Sequence, residues 1–161
     1  MYNTALVPDD YAVPLRFETN RVVLRPLTVH DVVRDYDAVM SSETRLKTVF
    51  REQREWPTGL TLEQNLIELG WHQVEFQERT SFAYTVLNDS EDVVLGCVYF
   101  YPTQKADFDV EVTMWVRESE ADTGLDAHLF NSVKNWLAAE WPFQNPAYPG
   151  RNITWGDWGN L

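Results

Sequence analysis

Between Asp109 and Trp136 the apolar positions follow two successive rhythms, a spacing of two and then of three to four, separated by a turn that holds Gly124. In the first part Val110, Val112, Met114 and Val116 share one face while Glu111, Thr113, Trp115 and Arg117 share the other, which predicts a strand. In the second part Leu125, Leu129, Val133, Trp136 and Leu137 mark the apolar stripe of a helix. Upstream, Arg16 to Leu27 reads as a strand centred on Val22, Val23 and Leu24 and ended by Pro26. Thr28-Val29-His30-Asp31 resembles a capping box with aspartate in the glutamate position, and Val32, Val33, Tyr36, Val39 and Met40 continue it at helical spacing. Arg45 to Gly59 is charged and ends in Trp56-Pro57-Thr58-Gly59, a stop-and-turn segment. Thr61-Leu62-Glu63-Gln64 is a second capping box, opening a long helix with Leu62, Leu66, Leu69, Val74 and Phe76 on its apolar side and Gly70 weakening its interior. Ser81 to Leu87 and Val93 to Tyr101 read as a hairpin around the polar turn Asn88 to Asp92.

The predicted order is strand, helix, helix, three strands, helix, then a terminal stretch rich in Trp and Pro. It argues an α/β (α+β) layer in which helices cover a mixed, largely antiparallel sheet. Residues 1–15, with Pro8 and Pro14 among polar groups, read as an arm, and 16–161 as a single domain.

Composition narrows the partners. A 44% hydrophobic share over 161 residues suits a folded domain with a proper core. Twenty-five acidic residues against 13 lysines and arginines give a net charge of -12, which argues against nucleic acid and favours a cationic partner or substrate, although acidity also serves solubility. Cys97 is the sole cysteine, so an intrachain disulfide is excluded and a reducing cytoplasm is expected; on a strand it reads as a small buried hydrophobe. His30, His72 and His128 fall on separate predicted helices without ligand spacing, so no metal is expected. The longest apolar strip, Val93 to Tyr101, is too short to span a bilayer, and no membrane association is expected. A strand that feeds a glycine turn and a helix N-terminus can cradle an anion. Asp122 and Asp126 stand just there, and acidic residues in a first helical turn ordinarily complement the helix dipole. Arg117, His128 and Lys134 are the nearby cations able to offset them.

This order, with Val22-Val23-Leu24-Arg25-Pro26-Leu27, the strand carrying Val94-Leu95-Gly96-Cys97-Val98 and the run from Glu111 to Arg117 into a glycine turn, resembles the GNAT superfamily of acyl-CoA-dependent N-acetyltransferases. The leucine-arginine-proline-leucine phrase is similar to the branch that acetylates ribosomal-protein N-termini. The resemblance implies acetyl-CoA as cosubstrate and a primary amine, of a small molecule or a protein N-terminus, as acceptor. It implies a site for the cofactor at Trp115, Val116, Arg117, Gly124, Leu125, Ala127 and His128, with backbone amides near Trp115 to Arg117 receiving the oxyanion. Glu111 is then the general base, with Asp109 second, and Tyr148 is the only late tyrosine available as acid. Of the family's three defining turn positions, Gly124 is kept, while Ala121 and Asp126 depart from it, so the loop is degenerate. The usual C-terminal helix and closing strands are not expected, and a homodimer or the arm would have to complete the substrate wall. The alternative is a catalytically inactive GNAT-fold module that binds a ligand or partner in an aromatic cleft to which Trp71, Trp155 and Trp158 contribute.

Overall fold

The computed structural model describes residues 4–50 and 55–161. Six strands form one sheet whose spatial order is the chain order: β1 (Phe17–Glu18), β2 (Val23–Pro26), β3 (Phe82–Leu87), β4 (Val94–Tyr101), β5 (Val110–Val116) and β6 (Pro146–Ala147). The first five pair antiparallel and β6 joins β5 in parallel. The helices are α1 (Val32–Met40), α2 (Glu43–Val49), α3 (Leu62–Gln77), α4 (Leu125–Glu140) and α5 (Trp155–Asn160). None is long and apolar enough to cross a membrane.

Period-two alternation gives the sheet two apolar faces. Val110, Val112, Met114 and Val116 pack with Phe82, Tyr84, Val98 and Phe100 beneath α4. That helix buries Leu125, Leu129, Val133, Trp136 and Leu137, the five residues its spacing predicted, and each such side chain contributes about 2 kcal/mol. On the opposite face Cys97, Tyr99 and Trp115 pack with Leu27, Val39, Leu46 and Leu69 from the α1, α2 and α3 side. Gly96 is where β4 and β5 come closest, since a Cβ there would meet the Trp115 carbonyl oxygen at 2.0 Å.

Several local expectations are corrected. The first strand is two, because Thr19 to Arg21 fold back and Thr19 Oγ1 accepts from the Arg21 and Val22 amides. Strict alternation along Val93 to Tyr101 puts Leu95 on the face of Cys97, but Val94 takes that place: the register steps from Val86↔Gly96 to Leu87↔Val94, so Leu95 bulges toward the other core. Helix α2 overlaps the start of the charged run Arg45 to Gly59, for which no helix was expected. Only Leu46 of it is buried, too little to show in an apolar pattern, and a Lys47–Glu43 pair at 3.0 Å supports its exposed side. Helix α3 does start at the Thr61 and Gln64 capping box. Its apolar side is not the one expected, for Leu62, Leu66 and Val74 are 43, 44 and 36% exposed. Polar anchors set its rotation instead: Asn65 donates to Asp35, and Gln73 accepts the Val29 amide.

The leucine-arginine-proline-leucine phrase acquires a physical role. Arg25 forks onto Asp31 at 2.7 and 2.9 Å while Asp31 reaches back to the Thr28 amide at 3.0 Å, locking the end of β2 to the turn that starts α1. The segment before β1 is also tied down, with Leu6 N donating to Arg79 O and the Tyr84 hydroxyl to Pro14 O.

Candidate active site

β5 and β6 pair only at Val110↔Pro146 and Glu111↔Ala147. β5 then runs on to Val116 without β6, which leaves a splay in the sheet. Arg117 N donates to Leu95 O on β4, so by antiparallel alternation the backbone groups of Met114 and Val116 face the splay and those of Trp115 and Arg117 face β4. Two guanidinium groups occupy this edge. Arg151 donates to Met114 O at 3.2 Å and Arg45 to Val116 O at 3.1 Å. Both converge on Asp126, Arg151 at 2.5 and 3.0 Å and Arg45 at 3.7 Å.

The turn from β5 to α4 winds through a 3-10 segment, Glu118–Glu120, and enters α4 through Gly124 at φ 77°, a left-handed conformation suited to glycine. Many of its amides are already engaged. Those of Glu120, Ala121 and Thr123 donate to Arg117, Glu118 and Glu120 carbonyls, that of Glu118 to Ser42 Oγ, and that of Leu125 to Thr123 Oγ1. Nor do the expected cations turn toward it. Arg117 binds Val94 O, Asp37 and Ser41; His128 meets Thr19 Oγ1 at 2.8 Å; Lys134 lies over the Phe130 ring. Arg21, which donates to Thr123 O, joins Arg45 and Arg151 as the positive charge around this helix start. Nothing in the local sequence singles out these three arginines, because they arrive from the turn between β1 and β2, from α2 and from the turn after β6. Ala127 is exposed in the first turn of α4 and Leu125 is buried beneath it.

A coenzyme diphosphate would meet a partly occupied turn in this arrangement. Five amides from Glu118 to Leu125 are engaged, those of Gly124, Asp126 and Ala127 at the start of α4 are not among them, and the Asp126 carboxylate holds both arginines. By charge alone Arg21, Arg45 and Arg151 suit an anion, provided that Asp126 releases Arg151.

On the opposite face of β5 lies a cavity of 810 Å³, into which Glu111 and Thr113 project from the sheet. Its walls are aromatic and acidic: Phe50, Trp56, Trp71, Tyr99, Tyr101, Trp155 and Trp158 with Glu68 and Glu75. Trp71, Trp155 and Trp158 are thus brought together as expected of a cleft. Trp115 is not part of it, being fully buried with its indole N–H 3.3 Å from the Tyr99 hydroxyl. Trp155 is anchored by donating to Val49 O at 3.0 Å, and its indole lies so close to Gly150 that a Cβ there would stand 2.6 Å from the ring nitrogen. Glu75 accepts from Ser81 Oγ at 2.6 Å. Burial raises the Glu68 carboxyl above its ordinary value, countered by a hydrogen bond from Trp56. Burial lowers His72, whose ring packs against Tyr99 and Tyr101, so at neutral pH it is an uncharged imidazole.

Glu111 and Tyr148 are not brought together. Tyr148 belongs to the α4 core against Phe130, and burial, with Asp109 nearby, pushes its phenol up to about 12. The Asp109 carboxylate receives the Gln144 and Asn145 amides, holding the entry to β6. Cys97 is buried 3.7 Å from Asp35, and burial lifts its thiol well above the usual range.

The chain superposes on ribosomal-protein-S5-alanine acetyltransferase from Vibrio fischeri with TM-score 0.63 and 16% identity, over 77% of this chain and 67% of that one. It matches the ribosomal L7/L12 alpha-N-protein acetyltransferase RimL in complex with coenzyme A with TM-score 0.61 and 15% identity, over 78% and 67%. For the microcin C7 self-immunity acetyltransferase MccE, in complex with acetyl-CoA and AMP, the values are 0.61 and 10%, over 80% and 70%. The chain has the GNAT acetyltransferase fold. No protein-family model and no curated relative matches the sequence.

Proposed function

We propose that this GNAT-fold protein is an acyl-CoA-dependent N-acyltransferase that acts on a primary amine of a small molecule or a protein N-terminus. The observation that carries this reading is the position of Glu111. It is the last β5 residue paired with β6 before the strands part, and its side chain lines the aromatic cavity. A carboxylate there takes the proton of an incoming ammonium, either directly or through water, which frees the amine as nucleophile. Glu68 and Glu75 draw the cation in, and the aromatic walls exclude bulk water from it. Acyl-CoA supplies the activated acyl group. Met114 and Val116 present the backbone edge that would face it once Arg151 and Arg45 release their carbonyls. That two solved structures sharing the fold hold CoA or acetyl-CoA supports the same donor here, and the ribosomal-protein enzymes among them support a protein N-terminus as one acceptor to test.

A second reading, a ligand-binding GNAT-fold module without acyl transfer, is favoured by one specific observation: Arg151, Arg45 and Asp126 close the splay. Thermal denaturation with acetyl-CoA divides the two. A ligand at ~100 times its dissociation constant adds about 2.7 kcal/mol of stability. A rise in melting temperature with acetyl-CoA, followed by mass-detected acylation of an amine panel and of N-terminal peptides, is expected. No rise at millimolar acetyl-CoA would leave the binding module as the function.

A further inference from the structure

We infer that the outer side of α3 is a docking surface for a basic amphipathic helix of a partner polypeptide. This goes beyond the acyltransferase reading and does not rest on it.

Helix α3 is apolar on two opposite sides. Leu69 and Phe76 pack inward, with Asn65 fixing the rotation through Asp35. Leu62, Leu66, Ile67, Val74 and Trp71, which also reaches the cavity, lie on the outer side at 36 to 60% exposure. Steps of three and four join them, Leu62 to Leu66 and Ile67 through Trp71 to Val74, so they form one stripe. A helix that is apolar all round is ordinarily buried on both sides, whereas α3 is buried on one. Its stripe leaves on the order of 500 Å² of apolar surface in water, the upper end of what a monomer shows in one patch. Gly70 lies between Leu66 and Val74 on this side, and a Cβ there would stand 4.0 Å from Val29 Cγ1, so a shallow groove runs between α3 and the segment leading into α1. Val33, 67% exposed, continues the apolar surface one turn further along α1.

Charge selects the occupant. The span from Glu55 to Glu78 holds five glutamates and neither Lys nor Arg. Glu63 and Glu78 stand exposed at the two ends of the stripe and enter no ion pair among the described residues. Arg79, the next basic residue, is turned onto the Pro8 and Tyr11 carbonyls. A second copy packed on this side, in either direction, would set these carboxylates against one another in a molecule of net charge -12. A helix with apolar residues on one side and Lys or Arg flanking them meets both demands, filling the groove and facing Glu63 and Glu78 with cations. The 16 residues of α3 span about 24 Å, room for a partner helix of about four turns. Exposed ion pairs add selectivity more than strength, so the sign of the partner's charge is what can be measured.

The test uses a fluorescein-labelled helical peptide of about four turns with Leu on one side and Lys on the other, and its counterpart with Glu in place of Lys. Each is titrated with the full chain and followed by fluorescence anisotropy. The Lys peptide is expected to bind in the micromolar range, and the Glu peptide at least about tenfold more weakly. Leu66→Gln with Ile67→Gln, which keeps helix propensity, is expected to weaken the Lys peptide about tenfold or more with little change in melting temperature. Glu63→Lys with Glu78→Lys is expected to cut the difference between the peptides to about threefold or less. The same reversals at Asp89 and Asp107, exposed on the loops flanking β4, are expected to leave that difference in place. Equal binding of the two peptides would overturn the inference, as would no binding at about 100 μM, binding unaltered by the Leu66 and Ile67 changes, or equal effects of the two charge-reversed pairs. A wild-type dimer in sedimentation that the Leu66 and Ile67 changes dissociate would overturn it by giving the face to a second copy. Flotation with phosphatidylcholine vesicles that the same changes abolish would give the face to a membrane instead. None of these measurements involves an acyl donor, so failure here leaves the transferase reading as it stands.

Discussion

The two faces of β5 meet charge in opposite ways. On the α4 side of the splay a single carboxylate, Asp126, sits between two guanidinium groups that also hold the free carbonyls of Met114 and Val116. On the other face three carboxylates look into a cavity whose described walls contribute no arginine or lysine. A net charge of -12 is therefore not spread evenly over this molecule. Arginines meet it at the splay, while the described walls of the cavity add none. The contrast teaches that Asp126 at the α4 start, which looks hostile to a diphosphate in the sequence, is in fact the partner of arginines from distant segments. Whether the site is open or shut is then a question of where Arg151 spends its time.

The largest expected effect strikes the cavity side. Glu111→Gln keeps the shape and removes the base, so acyl transfer is expected to fall by about 10²- to 10⁴-fold with acetyl-CoA affinity unchanged. Steady-state rates beside calorimetry measure both, and full activity in the variant would remove Glu111 from the chemistry.

A buried acid beneath the same face comes next. Asp35 has Asn65 and Cys97 as partners but no cation, in contrast to Asp126, and burial pushes its pKa up to about 6 from 3.8. The native state thus holds this proton more tightly than the unfolded state does. Its stabilising contribution is complete below about pH 4 and is lost as the pH rises through about 6, amounting to about 3 kcal/mol. Burial raises Glu68 as well, which acts in the same direction, whereas the lowered His72 works oppositely, destabilising the fold as pH falls below 6.5. Asp35→Asn isolates the first of these: the difference in unfolding free energy between wild type and variant should change between pH 4 and 7, favouring the variant at neutral pH. A pH-independent difference would show that Asp35 ionises normally.

The smallest effect tests the closed side. Asp126→Asn should loosen Arg151 and Arg45 and tighten acetyl-CoA by about tenfold, since a carboxylate near a phosphate is removed and two guanidiniums are released. Unchanged or weaker binding would mean that the splay does not receive a diphosphate, and would sharpen the contrast in favour of a binding module.

Much of the architecture was legible because it rests on local repetition. The stripe of α4, the alternation of β5, the Thr61 capping box and the Asn88 turn each need only neighbours within about a helical turn or a few residues to declare themselves. Helix α2 escaped because one buried leucine leaves no period. The rotation of α3 escaped because Asn65 and Gln73, polar residues with partners on α1 and in the turn before it, outweigh an apolar side that stays in water. For the site, Glu111 and the cleft tryptophans Trp71, Trp155 and Trp158 could be nominated from face and composition, but the arginines of the splay could not. Neither could the separation of Tyr148 from Glu111, which lie on opposite faces of the sheet.

By itself the sequence determined the order and kind of the principal elements, the two-faced sheet, the glycine at the head of α4 and the acidic character of the molecule. These depend on side-chain period and backbone preference, which are properties of short stretches of chain. Tertiary structure alone decided which charges meet. Arg151 lies 25 residues from Asp126 and Arg45 lies 71 from Val116, and a contact between such distant groups exists only once the sheet has brought their segments to one edge.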